Sequence, residues 1–269
     1  MAARLELPAD HPHVAVVTID RPAQANALDP PTLRELAAAW RRIAADPEIR
    51  CAVLTGAGER AFCAGMDMRT TIPAAQRFAR GERVEPEAFE GLRSVTTALL
   101  AGFDLGTPLV CAVNGHARAG GFDLMLAAEI RYAVPEATFA LEEVALGLYP
   151  TGNATVLLPR QIGWVHAHEL LLTARPIDAA RALEIGLVNR IVPRDQLMAT
   201  ALDTADAIAA NAPLAVRETR RGVREILHLP LADAYRRQEE LGAPLRGTED
   251  AREAQRAFVE KRRPLWKGR

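Results

Sequence analysis

The chain has 269 residues, of which 49% are hydrophobic and 25% charged, with a formal net charge of −1. That is the composition of a globular protein large enough for a sizeable core, and the balanced charge offers no handle for nucleic acid or an anionic membrane surface. No apolar run approaches the roughly 18–20 residues of a membrane span, and the start MAARLELPADHPH lacks the apolar segment of a secretory signal, so a cytoplasmic location is expected.

Two scarcities exclude whole classes of chemistry. Ser94 is the sole serine and stands in no GxSxG context, which removes the usual serine hydrolases. Lys261 and Lys267 are the only lysines, both in the tail, so the body of the chain has neither a P-loop nor a Schiff-base lysine. Cys51, Cys63 and Cys111 are far apart and sit beside strand-like residues, which reads as core. The pairs His11/His13 and His166/His168 do not share a helix face, so no metal site is expected.

In chain order, residues 14–20 (VAVVTID) form a buried-strand candidate, followed by the loop AQANALDPP. Asp29 or Thr32 can cap the next helix, whose Leu33, Leu36, Trp40 and Ile43 make one apolar face. A second strand covers 51–55, Gly56-Ala-Gly58 turns the chain, and Ala61-Phe-Cys-Ala-Gly65-Met-Asp67 follows. Residues 69–84 lack periodicity and read as a variable loop with some helix, whereas Phe89, Leu92, Val95 and Leu99 form a helical stripe. A strand at 108–113 leads through Asn114-Gly115 to Ala119-Gly120-Gly121 and a helix-like segment at 123–129. Then come a strand at 130–134, a mixed segment at 139–148, helices at 153–173 and 178–185, and a strand at 187–192. Beyond that lie four helical segments, roughly 195–210, 213–227, 231–242 and 249–260, with no strand between them. The expected organisation is therefore a 1–194 core of strand–strand–helix units and a 195–269 all-helical region.

Two loops of small residues follow strands, Ala64-Gly65-Met66-Asp67 and Ala119-Gly120-Gly121. One backbone N–H from each could converge on a single oxygen as an oxyanion hole, worth about 3–4 kcal/mol per donor where charge develops. Beside them stand two acids. Asp123 reads either as a helix-terminus acid or as a catalytic one. Glu143, inside the apolar FALEEVALGL, reads either as a solvated or paired acid or as a buried carboxyl with a raised pKa suited to proton transfer. Gly56-Ala-Gly58-Glu-Arg-Ala61 imitates a GxGxxA dinucleotide loop but lacks the helix that should start there.

With these residues in place the chain resembles the crotonase superfamily, the enoyl-CoA hydratase/isomerase group. The likeness rests on Asp20-Arg-Pro22…Asn26-Ala-Leu28, Thr55-Gly56, Phe62-Cys-Ala-Gly65-Met-Asp67, Asn114-Gly115…Gly120-Gly121, Phe139…Glu143…Gly147…Pro150-Thr-Gly152, Ala182…Gly186-Leu-Val188 and Ala257-Phe-Val-Glu-Lys-Arg262…Pro264. It implies an α/β fold, a spiral of repeated ββα units with a C-terminal helical trimerisation region, and a homotrimer or dimer of trimers. It also implies a coenzyme A thioester as substrate, with no separate cofactor and neither nucleic acid nor membrane as partner. By the same resemblance the N–H groups of Met66 and Gly120 form the oxyanion hole. Coenzyme A is held around Ala23, Ala25, Ala64, Gly65, Asp67 and Met68, and by Phe258 and Lys261 of the tail, from a neighbouring subunit. Asp123 and Glu143 fall where the hydratases hold and activate water. This sequence departs from the family pattern in Asp123, one methylene shorter than the usual glutamate, in Ala119 for glycine, in the charge of Arg118 and in Glu142 for proline. The resemblance leaves three functions in view: an enoyl-CoA hydratase (or the reverse dehydratase), an isomerase or other enolate-forming enzyme using mainly one carboxylate, and an acyl-CoA-binding protein with little catalysis. The 69–84 loop and the surroundings of Phe122, Tyr149 and Trp164 are expected to shape the acyl pocket.

Overall fold

Val14–Ile19 and Cys51–Gly56 are buried at every residue. That is the pattern of strands covered on both faces, and these two pair in parallel at the centre of the molecule. The computed structural model describes residues 2–269. Its elements are β1 (Ala3–Glu6), β2 (Val14–Ile19), α1 (Pro30–Ala45), β3 (Cys51–Gly56), β4 (Ala61–Cys63), α2 (Thr71–Ala79), α3 (Pro86–Ala98), β5 (Leu109–Val113), β6 (His116–Arg118), α4 (Gly120–Leu126), β7 (Ile130–Ala133) and β8 (Thr138–Ala140). A short 3₁₀ helix, Glu143–Leu146, precedes α5 (Ala154–Gln161), α6 (Trp164–Thr173), β9 (Ile177–Asp178), α7 (Ala179–Glu184) and β10 (Arg190–Ile191). The chain ends with α8 (Arg194–Ala209), α9 (Pro213–Ile226), α10 (Leu231–Gly242) and α11 (Glu249–Val259).

One sheet runs β1-β2-β3-β5-β7-β10 and a second runs β4-β6-β8-β9. Only the β1–β2 and β8–β9 pairs are antiparallel. The chain thus visits the first sheet and then the second three times in succession (β3 to β4, β5 to β6, β7 to β8), which makes the fold an α/β spiral of ββα units with a helical C-terminal region. Asp29 caps α1 by accepting the Thr32 N–H, and the Leu33, Leu36, Trp40 and Ile43 face is fully buried. The three cysteines are buried, and burial pushes the thiols of Cys51 and Cys63 up to about 12 and that of Cys111 higher still. Among the described residues no helix is long and apolar enough to cross a membrane.

Several elements differ from the sequence reading. The 153–173 segment is two helices, because Gly163 takes φ 84° between them. Helix α2 is the stretch of helix expected within the aperiodic 69–84 segment, so that part agrees. Helix α4 starts at Gly120, so Asp123 lies in its first turn rather than opening it. The 187–192 strand shrinks to two residues. Strands β6, β8 and β9 are three, three and two residues long, too short for a period to show. Helix α8 packs on β3 and β5 through Leu197, Ala201, Ala205 and Ala209, and all four join the main core.

Candidate active site

The loop after β4 is fastened to the segment before α1. Leu28 N–H donates to Gly65 O (2.8 Å), Asp67 N–H to Leu28 O (3.0 Å) and Ala64 N–H to Ala25 O (3.0 Å). Leu28 and Met66 form a parallel bridge, whose hydrogen bonds use the residues flanking Met66. The Met66 N–H therefore faces the opposite side, toward α4. Gly120 is the first residue of α4, where an N–H has no intrahelical acceptor. A Cβ on Gly120 would lie 3.7 Å from Met66 N, and one on Gly65 would lie 3.1 Å from Gly120 N. The two N–H groups named from the sequence are thus brought side by side.

The adjacent glycines do different work. A Cβ on Gly121 would stand 2.3 Å from the Cys63 carbonyl oxygen, so Gly121 lets α4 lie against β4, while Gly120 fronts the cavity. Ala119 keeps φ 44° and ψ −122° despite its Cβ, held by Ala119 N–H to Ala140 O (3.0 Å) and Asp123 N–H to Ala119 O (2.9 Å). A strained residue of this kind costs about 1–3 kcal/mol. Ala119→Gly is expected to raise folding stability by about 1 kcal/mol after the extra chain entropy of glycine is subtracted, read as a higher denaturant midpoint with unchanged slope. A lower midpoint would show that the backbone here is unstrained.

These loops open onto a cavity of about 630 Å³. Its apolar lining includes Ile72 of α2, Val95 of α3, Leu99, Ala101, Leu146, Leu148 and Tyr149. Met66, Met68, Ala64, Gly120, Asp123 and Glu143 also line it. Asp123 is 3% exposed and its Oδ1 accepts the Ala154 N–H at 2.6 Å. Burial raises its carboxyl to about 6, with the Ala154 N–H and Asn153 pulling back. Burial likewise raises Glu143, to about 7; its own N–H opposes the shift, and the neighbouring charges of Asp123 and Glu142 add to it. Glu143 Oε2 is buried and has no hydrogen-bond partner among the described residues. A buried oxygen without a partner costs free energy unless something else meets it, and this one sits on the wall of the cavity.

Other named residues lie elsewhere. Ala23 is exposed, and Ala25 supports the 64–67 loop through its carbonyl. Asp67 turns its carboxylate to Arg21 (3.1 Å) and to the N–H groups of Arg69 (2.9 Å) and Thr70 (3.2 Å). Burial would raise it, but those partners outweigh burial and hold it below the usual carboxylate range. Phe258, 86% exposed, and Lys261 lie at the end of α11 and do not line the cavity of their own chain. Of the three neighbourhoods expected to shape the pocket, that of Tyr149 lines it with Tyr149 itself and that of Phe122 through Gly120 and Asp123, whereas Trp164 is not among the lining residues. Phe122 is in the core, edge-on to Phe139 at 6.3 Å, and Trp164 is on the surface against His168. The sequence reading named Gly152 only as part of the family pattern, without its contact with Asp123, and missed Asn153: Asn153 Nδ2 donates to the Asp123 carbonyl (2.9 Å) and to Leu99 O (2.8 Å). A turn-forming Gly-Asn pair ahead of the apolar 154–158 run was the available signal.

The sequence profile of the enoyl-CoA hydratase/isomerase family matches residues 10–269. The chain belongs to the enoyl-CoA hydratase/isomerase family. It is similar to enoyl-CoA hydratase EchA19 of Mycobacterium tuberculosis, with 42% identity over 257 residues covering 96% of this chain and 94% of the relative. It is also similar to a carnitinyl-CoA dehydratase of Citrobacter koseri, with 37% identity over 264 residues covering 96% and 97%. Among solved structures, an enoyl-CoA hydratase from Bacillus anthracis superposes with a TM-score of 0.89 at 33% identity and full coverage of both chains. In this family member the spiral, the paired N–H groups and the two acids therefore occur in one enoyl-CoA hydratase/isomerase framework.

Proposed function

We propose that the protein adds water across the double bond of a 2-trans-enoyl-CoA, or removes it in the reverse direction. The observation that carries this reading is Glu143 Oε2, buried and unpartnered on a wall shared with a second acid of raised pKa. The relatives named above as hydratase and dehydratase fit it from both directions.

In the proposed reaction the thioester oxygen takes hydrogen bonds from the Met66 and Gly120 N–H groups. Ionised Asp123 accepts a proton from water as the water oxygen bonds to C3. The double-bond electrons move to give an enolate whose charge the two N–H groups share. Glu143, entering protonated, delivers its proton to C2 as the enolate collapses. One water is consumed, and the two acids exchange roles for the next turnover unless a proton passes back between them. The thioester is the substrate, and the scheme requires no cofactor or metal. Coenzyme A would run along Ala23, Ala25 and Ala64 to Met68, in a homotrimer or dimer of trimers in which a neighbouring copy brings Phe258 and Lys261. The proposed place of action is the cytoplasm.

The second reading, isomerisation using mainly Glu143, is favoured by one observation: Asp123 Oδ1 is already committed to the Ala154 N–H. Loss of the conjugated thioester absorbance of crotonyl-CoA and longer 2-enoyl-CoAs tests hydration. Conversion of a 3-enoyl-CoA without any such loss would replace the first reading by the second. For hydration, kcat/KM is expected to be bell-shaped. It falls below about pH 6 as Asp123 protonates and above about pH 7 as Glu143 ionises, with both apparent values belonging to the pair.

A further inference from the structure

Two departures from the family pattern, Arg118 and Glu142, meet each other. Arg118 Nη1 donates to Glu142 Oε1 at 3.0 Å and Arg118 Nη2 donates to Thr138 Oγ1 at 2.9 Å. Thr138 Oγ1 in turn hydrogen-bonds His116 Nδ1 at 2.9 Å. The Arg118 side chain is 23% exposed and that of Glu142 is 42% exposed, so the pair sits at the mouth of the site in partial contact with solvent, and Arg118 is held by two partners.

Their places in the chain give the pair its meaning. Arg118 ends β6, which pairs in parallel with β8 as Arg118 opposite Ala140. Two residues after Arg118 comes Gly120, whose N–H faces the cavity. Two residues after Ala140 comes Glu142, and the next residue is Glu143. The ion pair therefore joins the loop that carries one oxyanion donor to the segment that carries the proposed proton donor, just beyond the last strand pairing between them. Glu142 also lines the cavity itself.

We infer that Arg118 and Glu142 are a positioning pair for the reaction: their ion pair sets the spacing between the Gly120 N–H and the Glu143 carboxyl, and Arg118 offsets part of the Glu142 charge that Glu143 faces. The inference rests on Glu143 being the proton-transferring acid. Charged groups around Glu143 come from three places: Asp123 of α4, Glu142 of its own segment, and Arg118 of β6 acting through Glu142. Burial and the nearby Arg118 and Arg60 push the His116 ring below its ordinary value, which disfavours a positive charge there. Among the described residues lining the cavity, the other titratable side chain is the phenol of Tyr149.

The signs of the single variants are opposite. Arg118→Met leaves Glu142 uncompensated, so Glu143 holds its proton more tightly and the alkaline limb of the hydration profile moves up. Glu142→Gln removes the negative charge and leaves Arg118 in place, so the limb moves down. About half a unit in each direction is expected for a partly screened charge one residue away, and the double variant returns near the wild-type limb. Arg118→Lys keeps the cation and loses the fork that reaches Thr138, so its limb stays at the wild-type pH while kcat falls about tenfold from looser spacing. The same titration is followed without turnover by infrared spectroscopy of the protonated carboxyl stretch, assigned to Glu143 by its disappearance in Glu143→Gln. If that band titrates as expected in a protein that hydrates no enoyl-CoA, the function reading fails and the pairing stands. If the band and the limb stay put, or move the same way in Arg118→Met and Glu142→Gln while only the thermal midpoint falls, the pair is a structural tie and the inference is overturned.

Discussion

Glu143→Gln is expected to lower kcat for hydration of a 2-enoyl-CoA by about 10²–10⁴-fold, the range for losing a positioned proton donor. Gln has the same length and shape and keeps a carbonyl oxygen where the glutamate has one, so the 3₁₀ helix Glu143–Leu146 has no reason to move. Loss of the acid cannot be offset by Asp123, whose Oδ1 is held by the Ala154 N–H. The same substitution is expected to stabilise the protein at alkaline pH. A carboxyl whose folded pKa is raised contributes stability at low pH and loses it as pH rises through the folded value, here about 7. At pH 8 the ionised wild-type side chain is a burden that Gln lacks, about 1 kcal/mol once its partial exposure is allowed for. At pH 5 the gap should shrink. An inactive variant with a higher thermal midpoint at pH 8 than at pH 5, relative to wild type, matches both expectations. An active one removes Glu143 from the chemistry.

What could be read in advance followed from how local its cause is. The first sheet was legible because β2, β3 and β5 are apolar runs of five or six residues, buried throughout. The second sheet was not, because a three-residue strand such as β6 exists only through its pairing with β4 and β8. The loops of Met66 and Gly120 were legible since small residues after a strand have few other uses. The directions of side chains were not. Nothing local sends Phe122 into the core and Trp164 out to solvent, and the partner that engages the Asp67 carboxylate, Arg21, is 46 residues away. Asn153 was missed for the same reason, its contact with Asp123 spanning 30 residues. The Arg118–Glu142 pair is intermediate. Each residue stood out alone, and only the register of β6 on β8 shows that they answer each other.

Gly152→Ala is expected to reduce hydration about a hundredfold while leaving the fold in place. A Cβ at this position would stand 2.3 Å from Asp123 Cγ and Oδ2 and 2.7 Å from Oδ1. No carboxyl tolerates that approach, and this one has little room to retreat. Its Oδ1 is fixed at 2.6 Å by the Ala154 N–H, and Asn153 grips the Asp123 carbonyl. The strain of one extra methyl in a packed site costs about 1–3 kcal/mol, a measurable fall in the thermal midpoint but less than the stability of a domain this size. Displacing the acid by about 1 Å costs on the order of a hundredfold in rate. The substitution also separates the two readings of the site. If hydration needs both acids, Gly152→Ala and Asp123→Asn lose it together and by similar factors. If Glu143 works mainly alone, both variants retain conversion of a 3-enoyl-CoA at near wild-type kcat, since Gly152 and Asp123 then only support the start of α5. Full hydration activity in Gly152→Ala, with Asp123→Asn inactive, would mean that the carboxyl finds a second productive position, and the tight seat seen here would not be the one used in turnover.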